Sequence, residues 1–439
     1  MSNLLKYIIP GVFILIAVLW VLVWFGVIPG LSGGTKITPK MNLIIWGVDG
    51  DEAAIKGLIT AFTNANPGSK IIYEKKSPES YEQELVRAFA AGKGPDIFGI
   101  HHTWVDGYGD ILYPAPAEIF SQAEFADKFL DVARADFMRG SNIYGVPLYV
   151  DTLALYYNND LFNSAGIVLP PANWDEFEQY ARKLTQRKSN GEIAISGAAF
   201  GGGESVLYSP DILAMLMIQY GAQMIDKDGR VKLIGGTGQG GAGNFAEKAL
   251  EFYTSFAKQG DPNFSWLGDK AGNSLNMFAV NRVAMMLGYS STRNAILAKS
   301  SKVSFGVAAV PQMKNAVFKK NYADYWGFGV YKSSKNKDAA WQFLKFLTKI
   351  ENNRYYLSAT KRPASQKALV LEQQENSEMK IFADQALTAV SWIKKGKSII
   401  DQVFLDMIEG QISSSQTVGQ MIMKEAENKI NSSIKLKYK

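Results

Sequence analysis

The sequence contains no cysteine among its 439 residues. Disulfides, thiolate metal sites, cysteine nucleophiles and a lipid-modified cysteine are all excluded on that ground. Histidine is almost as scarce, and the two present, His101 and His102, are adjacent. No Gly-x-Ser-x-Gly elbow occurs, so the strand–turn–helix setting of a serine hydrolase is missing. The glycines between 235 and 243 are not followed by Lys and Ser or Thr, which excludes a phosphate-cradling loop and leaves a surface loop as the expectation. Asp226-Lys227-Asp228-Gly229-Arg230 lacks the later ligands and closing glutamate of a calcium loop and reads as a turn. Net charge is +6, but no basic stripe interleaved with aromatics stands out, so nucleic acid is not an expected partner.

What is present is a folded composition, 47% hydrophobic and 20% charged, long enough for two domains and an appendage. The 24 Phe, 20 Tyr and 9 Trp suffice to fill two cores and still furnish a binding surface. Residues Tyr7 to Ile28 form one long apolar run. As helix it spans roughly the 30 Å hydrocarbon layer. A secretory signal has a shorter apolar core of about 7 to 15 residues and a small-residue cleavage site. Here Trp20, Trp24 and Phe25 stand where small residues would be wanted, so the expectation is an uncleaved transmembrane anchor over 1–29. Residues 30–40, rich in Gly, Ser, Thr and Pro, are expected to be a flexible tether.

Beyond the tether, β-branched strands alternate with helical spacings. Met41 to Val48 reads as a strand, Ala53 to Asn64 as a helix with Ala54, Ile55, Leu58, Ile59 and Phe62 on one face, and Lys70 to Lys75 as a second strand. Tyr81 to Ala91 is a second helix, and Gly94-Pro95-Asp96-Ile97-Phe98-Gly99-Ile100 opens a third strand. This order predicts a mainly parallel sheet, whose ligands bind beyond the carboxyl ends of its strands. The loops to watch are therefore Trp46 to Asp51 and His101 to Asp106. As a metal site the histidine pair is weak, because adjacent side chains seldom converge on one ion and no carboxylate lies at helical ligand spacing. No metal and no cofactor are expected. The most informative stretch is Ile143 to Phe162. Gly145 and Pro147 set turn geometry, and Leu153 to Tyr157 reads as a strand buried on both faces. One carboxylate, Asp151, interrupts it and must find partners or face a cleft.

Several of these residues resemble one family. Gly94-Pro95-Asp96-Ile97, Tyr144-Gly145-Val146-Pro147, Tyr157-Asn158-Asn159-Asp160-Leu161-Phe162 and Pro170-Pro171-Ala172-Asn173-Trp174 fall in the order seen in extracellular solute-binding proteins of ABC importers, the maltose-binding-like group. Met277-Phe278-Ala279-Val280-Asn281-Arg282-Val283-Ala284-Met285-Met286 is similar to a further motif of that group. The resemblance covers everything after the tether. It implies a two-lobed periplasmic-binding-protein-like α/β fold of type II, here with an N-terminal transmembrane helix, and no enzymatic activity. It implies a first lobe of 41–150 and 305–347, and a second of 151–304 and 348–439.

By position, the resemblance makes His102, Thr103 and Trp104 candidate ligand contacts. Thr103-Trp104 stands where maltose binders carry Asp-Arg, which puts the same sugar in doubt but not the site. Tyr289 and Ser290 follow the Met-Met strand where the family reaches its ligand. Trp326, flanked by Gly327 and Gly329, is a cleft candidate because glycine lets a ligand approach the backbone. The full candidate set is Trp46, Asp49, Asp51, His102, Thr103, Trp104, Asp151, Tyr208, Tyr289, Ser290, Trp326 and Trp392, a mixture of ring faces and hydrogen-bonding groups that suits a sugar. The expected protein is a single-pass, membrane-anchored monomer with its bulk outside the cytoplasm. It binds a sugar or oligosaccharide and hands it to ABC permease subunits, with residues 7–28 in the lipid bilayer. A ligand-sensing ectodomain is the alternative. An anchored glycosidase is a third reading, built on a carboxylate pair drawn from Asp49, Asp96 and Asp151 and separated by about 5 Å or about 6.5–9.5 Å.

Overall fold

Parallel strands need a crossover between them, and here helices supply it. In the computed structural model, Asn42–Gly47 pairs in parallel with Lys70–Lys75 and with Ile97–His101, and the helices Glu52–Ala65 and Tyr81–Ala90 make the crossings. The structure describes residues 41–48, 51–226, 228–234, 236–238, 241–266, 272–392, 397–414 and 419–437. The expected anchor and tether, and Asp49, lie outside them. Among the described residues no helix is long and apolar enough to cross a membrane. The first helix buries Ala54, Ile55, Leu58 and Phe62, the face its spacing predicts. A Cβ at Gly47 would lie 2.0 Å from the Tyr73 hydroxyl, so only glycine there lets Tyr73 reach Asp51.

Trp326–Tyr331 completes this sheet by running antiparallel to Ile97–His101, with Trp326 opposite His101. Leu112–Tyr113 and Val146–Pro147 pair on its far side. Asp96, in the Gly-Pro-Asp-Ile motif, accepts the Ile44 N–H at 2.9 Å and the Ser334 hydroxyl at 2.5 Å. It locks the entrance of the third strand. At about 3.3 Å per residue it lies roughly 16 Å along the strand from His101, at the end opposite to the loops that the parallel sheet offers a ligand.

The second lobe is built on a three-stranded antiparallel sheet, with Ala154–Asn158 in the middle between Met285–Gly288 and Phe305–Ala308. Leu153, Ala154, Leu155 and Tyr156 are fully buried, as a run without alternation requires. Helix Trp174–Leu184 starts with a reciprocal cap: Asn173 accepts the Glu176 N–H at 3.0 Å, and Glu176 accepts the Ala172 N–H at 2.7 Å. Helix Ser209–Tyr220 is buried on nearly every side, helices Phe245–Ser255 and Lys397–Ser413 pack against it, and Gly419–Lys437 packs on those two. The glycine-rich segment forms a hairpin, Gly236–Gly238 against Gly241–Gly243, where a loop was expected.

The chain passes between lobes at three places that pair with one another. Asp151–Thr152, Asn321–Asp324 and Ala389–Val390 form a small sheet, with Asp324 opposite Asp151 and Tyr322 opposite Val390. Core membership switches at these strands: Val150 belongs to the first core and Leu153 to the second, Tyr322 to the second and Ala323 to the first, Ala386 to the first and Trp392 to the second. The lobe boundaries expected from the sequence differ in two respects. Phe305–Ala308 stays in the second lobe beside Ala154–Asn158. Tyr356, Leu357, Leu369, Val370 and Ala383, in the helices after 348, pack into the first core. An apolar face shows that a segment is buried but not which of two cores receives it.

Asn158 ends the central strand of the second lobe. It accepts the Leu161 N–H at 3.0 Å and donates to Asn281 Oδ1 at 2.7 Å, fully buried. Asn158→Ala is expected to cost about 1–3 kcal/mol of stability, measured by denaturant unfolding. Asn159→Ala, which loses one exposed bond to Ser304, should change stability by less than about 0.5 kcal/mol.

Candidate functional site

The strand ending at His101 gives way directly to a 3-10 turn, His102–Trp104. Along a continuing strand neighbouring side chains point to opposite faces. The turn cancels that alternation, and the two imidazoles lie 4.5 Å apart, both buried. His101 Nε2 is 2.8 Å from Asp324 Oδ1, and His102 Nε2 is 3.5 Å from the same oxygen. Of the other ring nitrogens, His101 Nδ1 meets the Thr103 hydroxyl at 2.7 Å, and His102 Nδ1 has Asp136 Oδ2 3.1 Å away as an ion-pair neighbour. The ground on which the pair was judged a poor metal site is therefore removed, because the side chains do converge.

Asp136 is buried in helix Asp131–Phe137 and also accepts the hydroxyls of Tyr325, at 2.6 Å, and Ser391. Tyr325 stacks flat on His102, 4.7 Å between centroids. Burial alone would drive His102 down, but the carboxylates of Asp136 and Asp324 outweigh it and lift its pKa to about 9. Burial lowers His101, which the charge on His102 reinforces and Asp324 opposes. Burial would raise Asp324, yet His101, Lys397 and His102 hold it well below the usual carboxylate range.

Asp151 lies on the neighbouring crossing strand with 3% of its surface exposed. It accepts the Ser290 N–H at 3.1 Å on each oxygen, the Ser290 hydroxyl at 2.6 Å and the Thr152 N–H at 2.9 Å. Tyr289, next in the chain, donates to Asp211 Oδ2 at 3.0 Å. Tyr208 meets the Tyr289 ring edge-on at 4.7 Å from a left-handed backbone conformation, φ 61°, which is costly for a bulky side chain. Lys397 approaches Asp211 at 3.8 Å and Asp401 at 2.7 Å.

The remaining candidates divide. Trp326 is half-buried, with its ring edge-on to His101 at 5.0 Å and to Trp104 at 5.1 Å. Trp104 is 8% exposed and stacks between Tyr81 and Tyr108, so its faces are taken by protein. Asp51 is buried under the hydroxyls of Tyr73, 3.1 Å, and Tyr356, 2.8 Å, beside a narrow cavity that Trp326 also lines. Trp46 stands apart from the histidine cluster, with the Lys76 ammonium 3.8 Å from its ring centre. Trp392 is packed on Phe404 in the second core, 5.4 Å between centroids. The structure thus groups Asp151, Ser290, Tyr289 and Tyr208 on the second lobe, and His102, Thr103, Trp104 and Trp326 on the first.

Sequence reasoning missed Asp136, Asp211 and Asp324, and it noted His101 only as part of a loop to watch. A signal existed for Asp136, which lies four residues after Val132 on the buried face of its helix. Another existed for Asp324, which interrupts an apolar and aromatic run as Asp151 does.

The Asp151 carboxyl has a pH consequence. Burial pushes its pKa up to about 6 from 3.8, against the pull of the Ser290 hydrogen bonds. An acid whose folded pKa exceeds its unfolded value stabilises the fold below the unfolded value and loses that contribution as pH rises through the folded one. Two units correspond to about 3 kcal/mol. Relative to Asp151→Asn, the wild type is expected to lose about 2 kcal/mol between about pH 4 and about pH 6.5. Denaturant unfolding at both pH values measures it, and a constant difference would contradict the buried-acid account.

The model of the bacterial extracellular solute-binding protein family matches residues 47–354. A relative from Brucella abortus, described as a binding protein, is 27% identical over 312 residues, 69% of this chain and 72% of its own. The galactooligosaccharide-binding protein of Bacillus subtilis is 22% identical over 374 residues, 83% of this chain and 81% of its own. Among solved structures, an ABC transporter solute-binding protein of Thermotoga lettingae bound with α-D-tagatose has a TM-score of 0.70 at 22% identity, covering 90% of this chain and all of that one. The maltotriose-binding protein of Thermus thermophilus has a TM-score of 0.67 at 21% identity, covering 89% of this chain and all of that one. These structures share the two-lobed α/β fold. With the family match over most of its folded length, the chain belongs to the bacterial extracellular solute-binding proteins of family 1, and it is a binding protein, not an enzyme.

Proposed function

We propose that this protein captures a hydroxyl-rich solute, a sugar or short oligosaccharide, between its two lobes and delivers it to an ABC importer. The observation that carries this reading is the meeting of carboxylates and aromatic rings from both lobes at the three paired crossing strands. Asp324 and Trp326 lie on one side of that junction, and Asp151, Ser290, Tyr289 and Tyr208 on the other. Ring faces stack on the C–H faces of a pyranose, and carboxylates and hydroxyls match its hydroxyl groups. Rotation about a few strand residues brings such groups together and expels water without repacking either core. The sugar names of the Bacillus and Thermus relatives favour the same solute class. Of the rings, Trp326, Tyr208 and Trp46 retain exposure and are the ones proposed to stack on the solute. Residues 7–28 are proposed to hold the lobes at the membrane surface, next to the permease.

A thermal-shift screen of the protein against mono- and oligosaccharides is expected to find at least one that raises Tm, since a ligand of the folded state stabilises it. For that sugar, Trp326→Ala is expected to weaken binding at least tenfold, about 1.4 kcal/mol, by calorimetry. No stabilising sugar in the screen, or equal affinity in the variant, would count against the reading. The anchor is tested by fractionation: full-length protein should stay with the membrane through a carbonate wash, and a chain starting at Lys40 should not.

A further inference from the structure

We propose that His101, His102 and Asp324 form a site for one divalent transition-metal cation of the zinc type, at the root of the hinge. The two imidazoles and the Asp324 carboxylate place one ligand atom each within 4.8 Å of the others. The Nε2–Oδ1 separations are 2.8 and 3.5 Å. Ligand atoms about 2.0–2.1 Å from a tetrahedral zinc stand about 3.3 Å from one another. The two histidine–aspartate separations therefore bracket the spacing that a single ion imposes.

The second observation concerns the far side of each ring. A metal-bound histidine almost always gives its other nitrogen to a carboxylate, carbonyl or hydroxyl, which fixes the tautomer and aims the ring. Asp136 Oδ2 lies 3.1 Å from His102 Nδ1, and the Thr103 hydroxyl lies 2.7 Å from His101 Nδ1, which the Thr103 N–H also approaches at 3.4 Å. Asp136 is itself fixed by Tyr325 and Ser391. Both Nε2 atoms lie within 3.5 Å of Asp324 Oδ1 yet neither forms a hydrogen bond with it, so three buried donor atoms stand unpaired side by side.

Two imidazoles and one carboxylate form a borderline donor set, which selects zinc, cobalt or nickel over calcium or magnesium. The histidine side chains are 1% exposed, but Asp324 is 22% exposed. The fourth coordination position thus opens on the Asp324 side, where water or a solute oxygen completes the shell. Asp324 belongs to a crossing strand and the histidines to the first-lobe sheet. A cation here ties the return crossing to the first lobe beside the cleft. The site is independent of the sugar reading, because its donors need no organic ligand.

The alternative occupant is a proton, with the same three groups satisfying one another by hydrogen bonds alone. Full-length protein, purified without a histidine tag and stripped with chelator, separates the two. Titration with cobalt(II) is expected to give the intense visible d–d absorption of a four-coordinate ion, saturating at one equivalent. Zinc calorimetry is expected to give a Kd of about 1 µM or tighter. Asp324→Asn and His102→Gln should each weaken zinc binding at least a hundredfold, and Asp136→Asn by about 10–100-fold, with circular dichroism confirming that each variant is folded. No stoichiometric cobalt spectrum in the wild type would overturn the proposal whatever the variants do. So would equal zinc affinity in folded Asp324→Asn.

Discussion

Two carboxylates facing each other across one antiparallel pairing hold the design together. Asp151 and Asp324 occupy opposed positions on the first two strands that pass between the lobes. Buried charge is tolerated only where partners are supplied, and each aspartate draws them from a different quarter. Asp151 is served by the Ser290 amide and hydroxyl in the second lobe. Asp324 is served by His101 and His102 in the first. The hinge strands are thereby tethered to the two lobes by separate polar networks that meet at the crossing.

The rest of the molecule keeps that junction in place. The first-lobe sheet delivers His101 at the end of one strand and Trp326 directly opposite on the next. The second lobe delivers Tyr289 and Ser290 immediately beyond the strand that pairs with Ala154–Asn158. Asp96, Gly47 and the Asn173 cap contribute by fixing where strands and helices begin and end. Many of the polar residues that a motif search singles out thus hold the frame, and the aromatic residues divide likewise: Trp104 and Trp392 pack inward, while Trp326 keeps a face open.

Much of the fold was legible because it is local. Helix faces such as Ala54–Phe62, the unbroken strand Leu153–Tyr156 and the cap at Asn173 follow from spacing over one or two turns. The site was legible only in part. Asp151 announced itself as a charge in an apolar run, and Trp326 through its glycine neighbours. Asp211 did not, since an acid in a helix is ordinary until a distant residue buries it.

By itself the sequence determined the alternation of strands and helices, the long apolar run at the start and the absence of thiol chemistry, because each depends on neighbours a few residues away. Only the tertiary structure decided which core takes Phe305–Ala308 and the helices after 348. It alone decided that two adjacent histidines turn the same way onto Asp324, and that Ser290 closes on Asp151 across 139 residues of chain. Those outcomes depend on long loops closing against packed sheets, and an apolar or acidic residue carries no mark of its distant partner.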